Sequence, residues 1–74
     1  MSSQTFEFGD SAGQECTVKA TGRKQIAKAR KIWDAADDEG TIQAPEARRI
    51  FGRPEHHTTM NLATAFALAG FHVA

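Results

Sequence analysis

The run Thr17-Val18-Lys19-Ala20-Thr21-Gly22-Arg23-Lys24-Gln25-Ile26-Ala27-Lys28-Ala29-Arg30-Lys31-Ile32-Trp33 changes its hydrophobic period half-way along. Together with Glu15 and Cys16, the first part alternates: Cys16, Val18 and Ala20 share one side of a strand, Glu15, Thr17 and Lys19 the other. From Ile26 onward, apolar residues return at three- and four-residue spacing. Ile26, Ala29, Ile32, Trp33 and Ala36 line one helical face. Thr21 is the expected N-cap at the switch, and Gly40 the expected C-terminal stop. A strand therefore feeds straight into an amphipathic helix.

Upstream, Thr5-Phe6-Glu7-Phe8 alternates in the same way, and the cluster Gly9-Asp10-Ser11-Ala12-Gly13 reads as a turn. Two alternating runs joined by a short glycine-containing loop form a β-hairpin. Phe6 and Phe8 then share its inner face with Cys16 and Val18. A lone hairpin is marginal in water, so the helix is expected to pack across it. Downstream, Thr41-Ile42-Gln43 is extended. Pro45 to Phe51 reads as a second helix closed by Gly52, with Ala47, Ile50 and Phe51 on its buried side. A third helix is expected from Thr58 or Thr59 to Ala69. It is apolar all round, which places it inside the fold or at an interface. Phe71 to Ala74 reads as a short closing strand. The expectation is one α+β domain over residues 1–74, with residues 1–4 flexible: an N-terminal hairpin, three helices and a short C-terminal strand.

Composition removes several classes. The chain has 74 residues, 41% hydrophobic and 24% charged, which is average for a globular domain and too apolar for low-complexity disorder. A domain this small buries only about 60% of its unfolded surface, so each large apolar residue is needed. No stretch reaches the roughly 20 apolar residues of a membrane span, and the polar start lacks the pattern of a signal peptide. Cys16 is the only cysteine, so an intrachain disulfide is impossible and a reducing cytoplasm is the expected compartment.

Nine basic and nine acidic residues cancel, yet they are zoned. Arg23, Lys24, Lys28, Arg30 and Lys31 come first, without an acid among them. Asp34, Asp37, Asp38 and Glu39 follow, without a base. The helix macrodipole favours the opposite order by about 0.3–1 kcal/mol per charge. Two meanings follow: a solvated face that tolerates a small penalty, or a surface arranged for a charged partner. A second basic group, Arg48, Arg49 and Arg53, stands beside His56 and His57.

Catalytic and metal chemistry find little footing. Cys16 lies mid-strand with no histidine at a telling spacing, and Ser2, Ser3 and Ser11 fall in segments expected to be mobile. His56, His57 and His72 lack the spacing of a zinc site, and the acidic run lacks the alternate oxygens of a calcium loop. There is no phosphate-binding glycine loop. The chain reads as a non-enzyme without a cofactor. The order of elements from Ile32 to Gly70 invites a helix-turn-helix reading, a small DNA-binding regulator using Arg48, Arg49, Arg53, His57 and Asn61. Its would-be recognition helix, however, carries no Lys or Arg and has no polar face for base edges.

The strand-into-helix run Thr17 to Trp33, with the hairpin before it, resembles the hairpin-plus-helix core of small phage-encoded inhibitors, certain anti-CRISPR proteins among them. The resemblance is architectural and spans roughly Thr5 to Ala36. It implies a protein of phage or mobile-element origin, at work in the host cytoplasm. Such a protein would bind a protein or ribonucleoprotein immune complex, a CRISPR surveillance complex, and block its nucleic-acid access or a required movement. The contact residues on this reading are Arg23, Lys24, Lys28, Arg30 and Lys31, with Asp34, Asp37 and Asp38 beyond them. A third reading is a homodimer formed through the apolar third helix.

Overall fold

The computed structural model describes residues 2–10 and 12–74, so Ser11 of the expected turn lies outside the described residues. Strands β1 (Ser3–Gly9) and β2 (Glu15–Thr21) form an antiparallel hairpin in which Phe6 faces Val18, Phe8 faces Cys16 and Gln4 faces Ala20. Ser3 and Gln4, expected in a flexible tail, belong to β1. The turn is held by Asp10, whose carboxylate accepts from the N–H groups of Ala12 and Gln14, both at 2.9 Å. Phe6, Val18, Ala20 and Cys16 are buried and Phe8 is half-buried, as the alternation dictates.

Helix α1 (Arg23–Ala35) follows β2 through Gly22, whose φ of 88° and ψ of 157° suit only glycine. That single residue reverses the chain so sharply that no side-chain N-cap forms. Thr21, the expected cap, is instead the last residue of β2. Its N–H donates to Gln25 Oε1 at 2.9 Å. Ala29 and Ile32 are fully buried beneath the helix. The helix ends at Ala35 rather than near Gly40, because Asp37 takes over the backbone. Its carboxylate accepts from the N–H groups of Glu39 (2.9 Å) and Thr41 (3.0 Å), a local alternative to helical bonding.

Residues Thr41–Ile42 form β3, paired antiparallel with β4 (Met60–Asn61), the short strand of the C-terminal half. Between them lie α2 (Ala44–Ile50), with Pro45 in its first turn, and a 3-10 turn, Pro54–His56. Helix α3 (Leu62–Leu68) starts later than the apolar run suggests. Met60 and Asn61 are held in the ladder, and Asn61 Oδ1 then caps the helix by accepting from Thr64 N–H at 2.8 Å. The segment 71–74 forms no regular strand, but Ala74 and Thr17 exchange two backbone hydrogen bonds of 2.9 Å. This lays the segment along the outer edge of β2.

The core is built from the inner face of the hairpin, the β3–β4 pair and the apolar faces of the three helices. Phe66, Ile32, Ile42 and Val18 are its largest fully buried side chains. Phe66 is central: its ring lies 5.4 Å from Phe8, 5.9 Å from Phe6 and 5.8 Å from Phe71. Each such aromatic contact adds about 0.5–1.5 kcal/mol to the burial itself. Helix α3 is not buried all round: Thr64, Ala67 and Leu68 are exposed, Leu68 by 39%. Among the described residues no helix is long and apolar enough to cross a membrane.

Candidate binding groove

The five basic residues of α1 are all exposed, but they do not form one stripe. Lys24, Lys28 and Lys31 are spaced by four and three residues and share one flank. Arg23 and Arg30, seven apart, share the other. The lysine flank turns toward α2 and α3. The arginine flank turns toward Ser2 and the N-terminal end of β1, where Arg23, Ile26 and Arg30 line a hollow of about 600 Å³.

Lys28 and Lys31 form one wall of a groove of about 570 Å³. Ile50 and Phe51 from the end of α2 and Leu68 and Ala69 from the end of α3 give it an apolar floor. Gly52, Arg53 and His56 close the opposite wall. Each position has a local cause. Phe51 is held extended after α2 and buried, and its carbonyl accepts a 2.8 Å hydrogen bond from His57 Nε2–H. The Phe51 ring in turn meets His56 edge to face at 5.9 Å. Pro54 opens the 3-10 turn that sets Arg53 and His56 at the rim. The groove thus unites members of both basic groups, which lie more than twenty residues apart in sequence.

Among the described residues the one ion pair is Arg49 with Glu46, at 3.1 Å. Lys28, Lys31 and Arg53 therefore have no carboxylate at salt-bridge distance there. Three cations around an apolar floor can receive a partner that offers carboxylates or other anions beside an apolar group. Arg53 can bind such a group in a planar fork, while the two lysines act as point charges.

The acidic residues part company in the same way. Asp34 stands on α1 near Lys31, Glu46 and Arg49. Asp37 is built into its turn, and the Thr41 N–H above all holds its carboxyl below the ordinary value against desolvation, aided by Glu39 N–H and Gln43 Nε2. Asp38 and Glu39 are exposed and line an acidic cleft of about 550 Å³ with Glu7, Asp10, Phe8 and Trp33.

Three residues of the DNA-binding reading are engaged otherwise. Asn61 caps α3, His57 is tied to the Phe51 carbonyl, and Arg49 pairs with Glu46. Arg48 is exposed on α2. Residues 51–61 separate α2 from α3, whereas a helix-turn-helix joins its helices by a three- or four-residue turn. Among the described residues no group of three or more His, Cys, Asp or Glu is placed to hold a metal ion. Cys16 is buried and unpaired.

Sequence reasoning found the cations of the groove but missed its floor. The one available signal was Leu68, an apolar residue on the side of α3 that also carries Thr64 and Ala67. Comparison with models of known families, with curated proteins and with solved structures gives no match.

Proposed function

We propose that this chain is a non-enzymatic binding protein that covers an acidic surface of a host immune complex, in the manner of phage-encoded anti-CRISPR inhibitors. The observation that carries the binding reading is the groove itself. Cations from two separate segments converge around an apolar floor that Leu68 exposes, and among the described residues none of them has a carboxylate at salt-bridge distance. Such a surface pairs electrostatic steering with apolar burial, the combination that gives a complex both rate and lifetime. The immune target rests on the likeness of residues 5–36 to the hairpin-plus-helix core of those inhibitors. Bound there, the domain would block nucleic-acid access or a movement the complex requires.

The test is retention of a CRISPR surveillance complex on the tagged protein, with and without nuclease, for the wild type and for Lys28→Glu/Lys31→Glu. The expected result is a stoichiometric complex that survives nuclease and is lost with the double reversal, while the circular dichroism of the variant is unchanged. Recovery of nucleic acid alone, with nothing left after nuclease, would instead support a DNA-binding regulator.

A further inference from the structure

We propose that the outer edge of β1 is the seat of a second copy of this chain, whose own β1 adds antiparallel to it and joins the two hairpins into one four-stranded sheet. In the hairpin, Asp10 N–H donates to the Gln14 carbonyl and Gly22 N–H to the Ser2 carbonyl, so even-numbered residues of β1 face β2. The backbone groups of Ser3, Thr5, Glu7 and Gly9 point the other way. Among the described residues none of these groups has a hydrogen-bond partner.

The two edges of the hairpin are treated differently. The edge of β2 is partly covered, by Ala74 on Thr17 and by Gln25 on Thr21. The edge of β1 runs for seven residues with no proline or lysine among them. Exposed edges are ordinarily blunted by such devices, and an open one is a template for another strand.

Charge identifies the occupant. Helix α1 packs on β2, and its two ends come near the two ends of β1. Its basic start meets the start of β1, where Arg23 and Arg30 flank Ser2. The acids after it meet the end of β1, where Asp10, Asp38 and Glu39 flank Gly9. Two copies placed antiparallel bring basic end to acidic end twice, once on each side of the two-fold axis. This accounts for a charge order on α1 that opposes its own dipole. Full overlap of the seven residues sets Ser3 against Gly9 of the second copy and Thr5 against Glu7 of the second copy. No like charges then stand directly opposite.

The test is solution mass by light scattering over protein concentrations up to about 1 mM, a range that detects even weak association. Four samples are compared with the wild type: Thr5→Pro, Arg23→Glu/Arg30→Glu, Asp38→Arg/Glu39→Arg, and an equimolar mixture of the two charge variants. The wild type is expected at twice its 8.0 kDa chain mass. Thr5→Pro removes an N–H that the hairpin does not use, and is expected at the monomer mass with unchanged circular dichroism. Each charge variant is expected to be monomeric alone, and the mixture to recover the dimer. A wild type that stays monomeric overturns the proposal. So does a dimer that survives folded Thr5→Pro, or a mixture no more associated than its components. If Thr5→Pro does not fold, the mixture decides.

Discussion

Replacing Phe66 by alanine tests which face of α3 the core holds, and with it which residues are left for the groove. Phe66 is fully buried and touches the rings of Phe6, Phe8 and Phe71. Truncation of a phenylalanine so placed costs about 3–5 kcal/mol, the lost transfer energy plus a cavity. At 0.05–0.15 kcal/mol per residue, the whole domain has about 4–11 kcal/mol of stability. The substitution therefore removes at least about a quarter of that stability, and nearly all of it at the lower end of the range. Urea denaturation followed by the fluorescence of Trp33, the only tryptophan, measures it. With a slope near 1 kcal/mol per molar urea, the midpoint is expected to fall by about 3 M or more. Leu68→Ala, two residues on and 39% exposed, is the control, with an expected loss of at most about 1 kcal/mol. A loss below about 1.5 kcal/mol for Phe66→Ala, or an equal loss for Leu68→Ala, would refute the assigned face and with it the apolar floor.

Asn61→Ala removes the cap on Thr64 N–H and is expected to cost about 0.5–2 kcal/mol, read as a fall in melting temperature. Gly22→Ala meets no atom within 4 Å, so its expected loss of about 1–3 kcal/mol comes from the backbone alone; an unchanged melt would show that Gly22 does not hold this conformation. The carboxyl of Asp37 titrates below its ordinary value of 3.8, so its charge adds stability that is present above that value and lost as pH falls through the lowered native one. The stability gap between wild type and Asp37→Asn should accordingly be constant near neutral pH and shrink below pH 3.8, as measured by denaturation across that range.

Much of the fold was legible because its two halves speak in clear periods. The alternation of Cys16, Val18 and Ala20, and the helical spacing of Ile26, Ala29 and Ile32, each point to one inward face: Val18, Ala20, Ala29 and Ile32 line the core, Ile26 packs against it and Cys16 is buried. Boundaries were less legible where a side chain competes with the backbone. Asp37 ends α1 early by accepting from two later N–H groups, and Asn61 delays α3 by serving first a ladder and then a cap. Neither residue differs by type from an ordinary surface polar group, so composition could not mark them. The groove was half legible. Its cations stood out as clusters in the chain, but their convergence depends on where Phe51 and the Pro54 turn place Arg53, which is a tertiary fact. The arginines and lysines of α1 form one cluster in sequence yet divide between two flanks, because a helix separates neighbours in the chain by its turn.

The measurement that bears most directly on the groove as a binding site is the equilibrium affinity of the wild type and of Lys28→Glu/Lys31→Glu for the isolated surveillance complex, at low and at high salt. Two reversed charges at an interface should together exceed about 1.4 kcal/mol, so at least a tenfold loss of affinity is expected at low salt, narrowing as salt rises. Equal affinity in a double variant that remains folded would contradict the account.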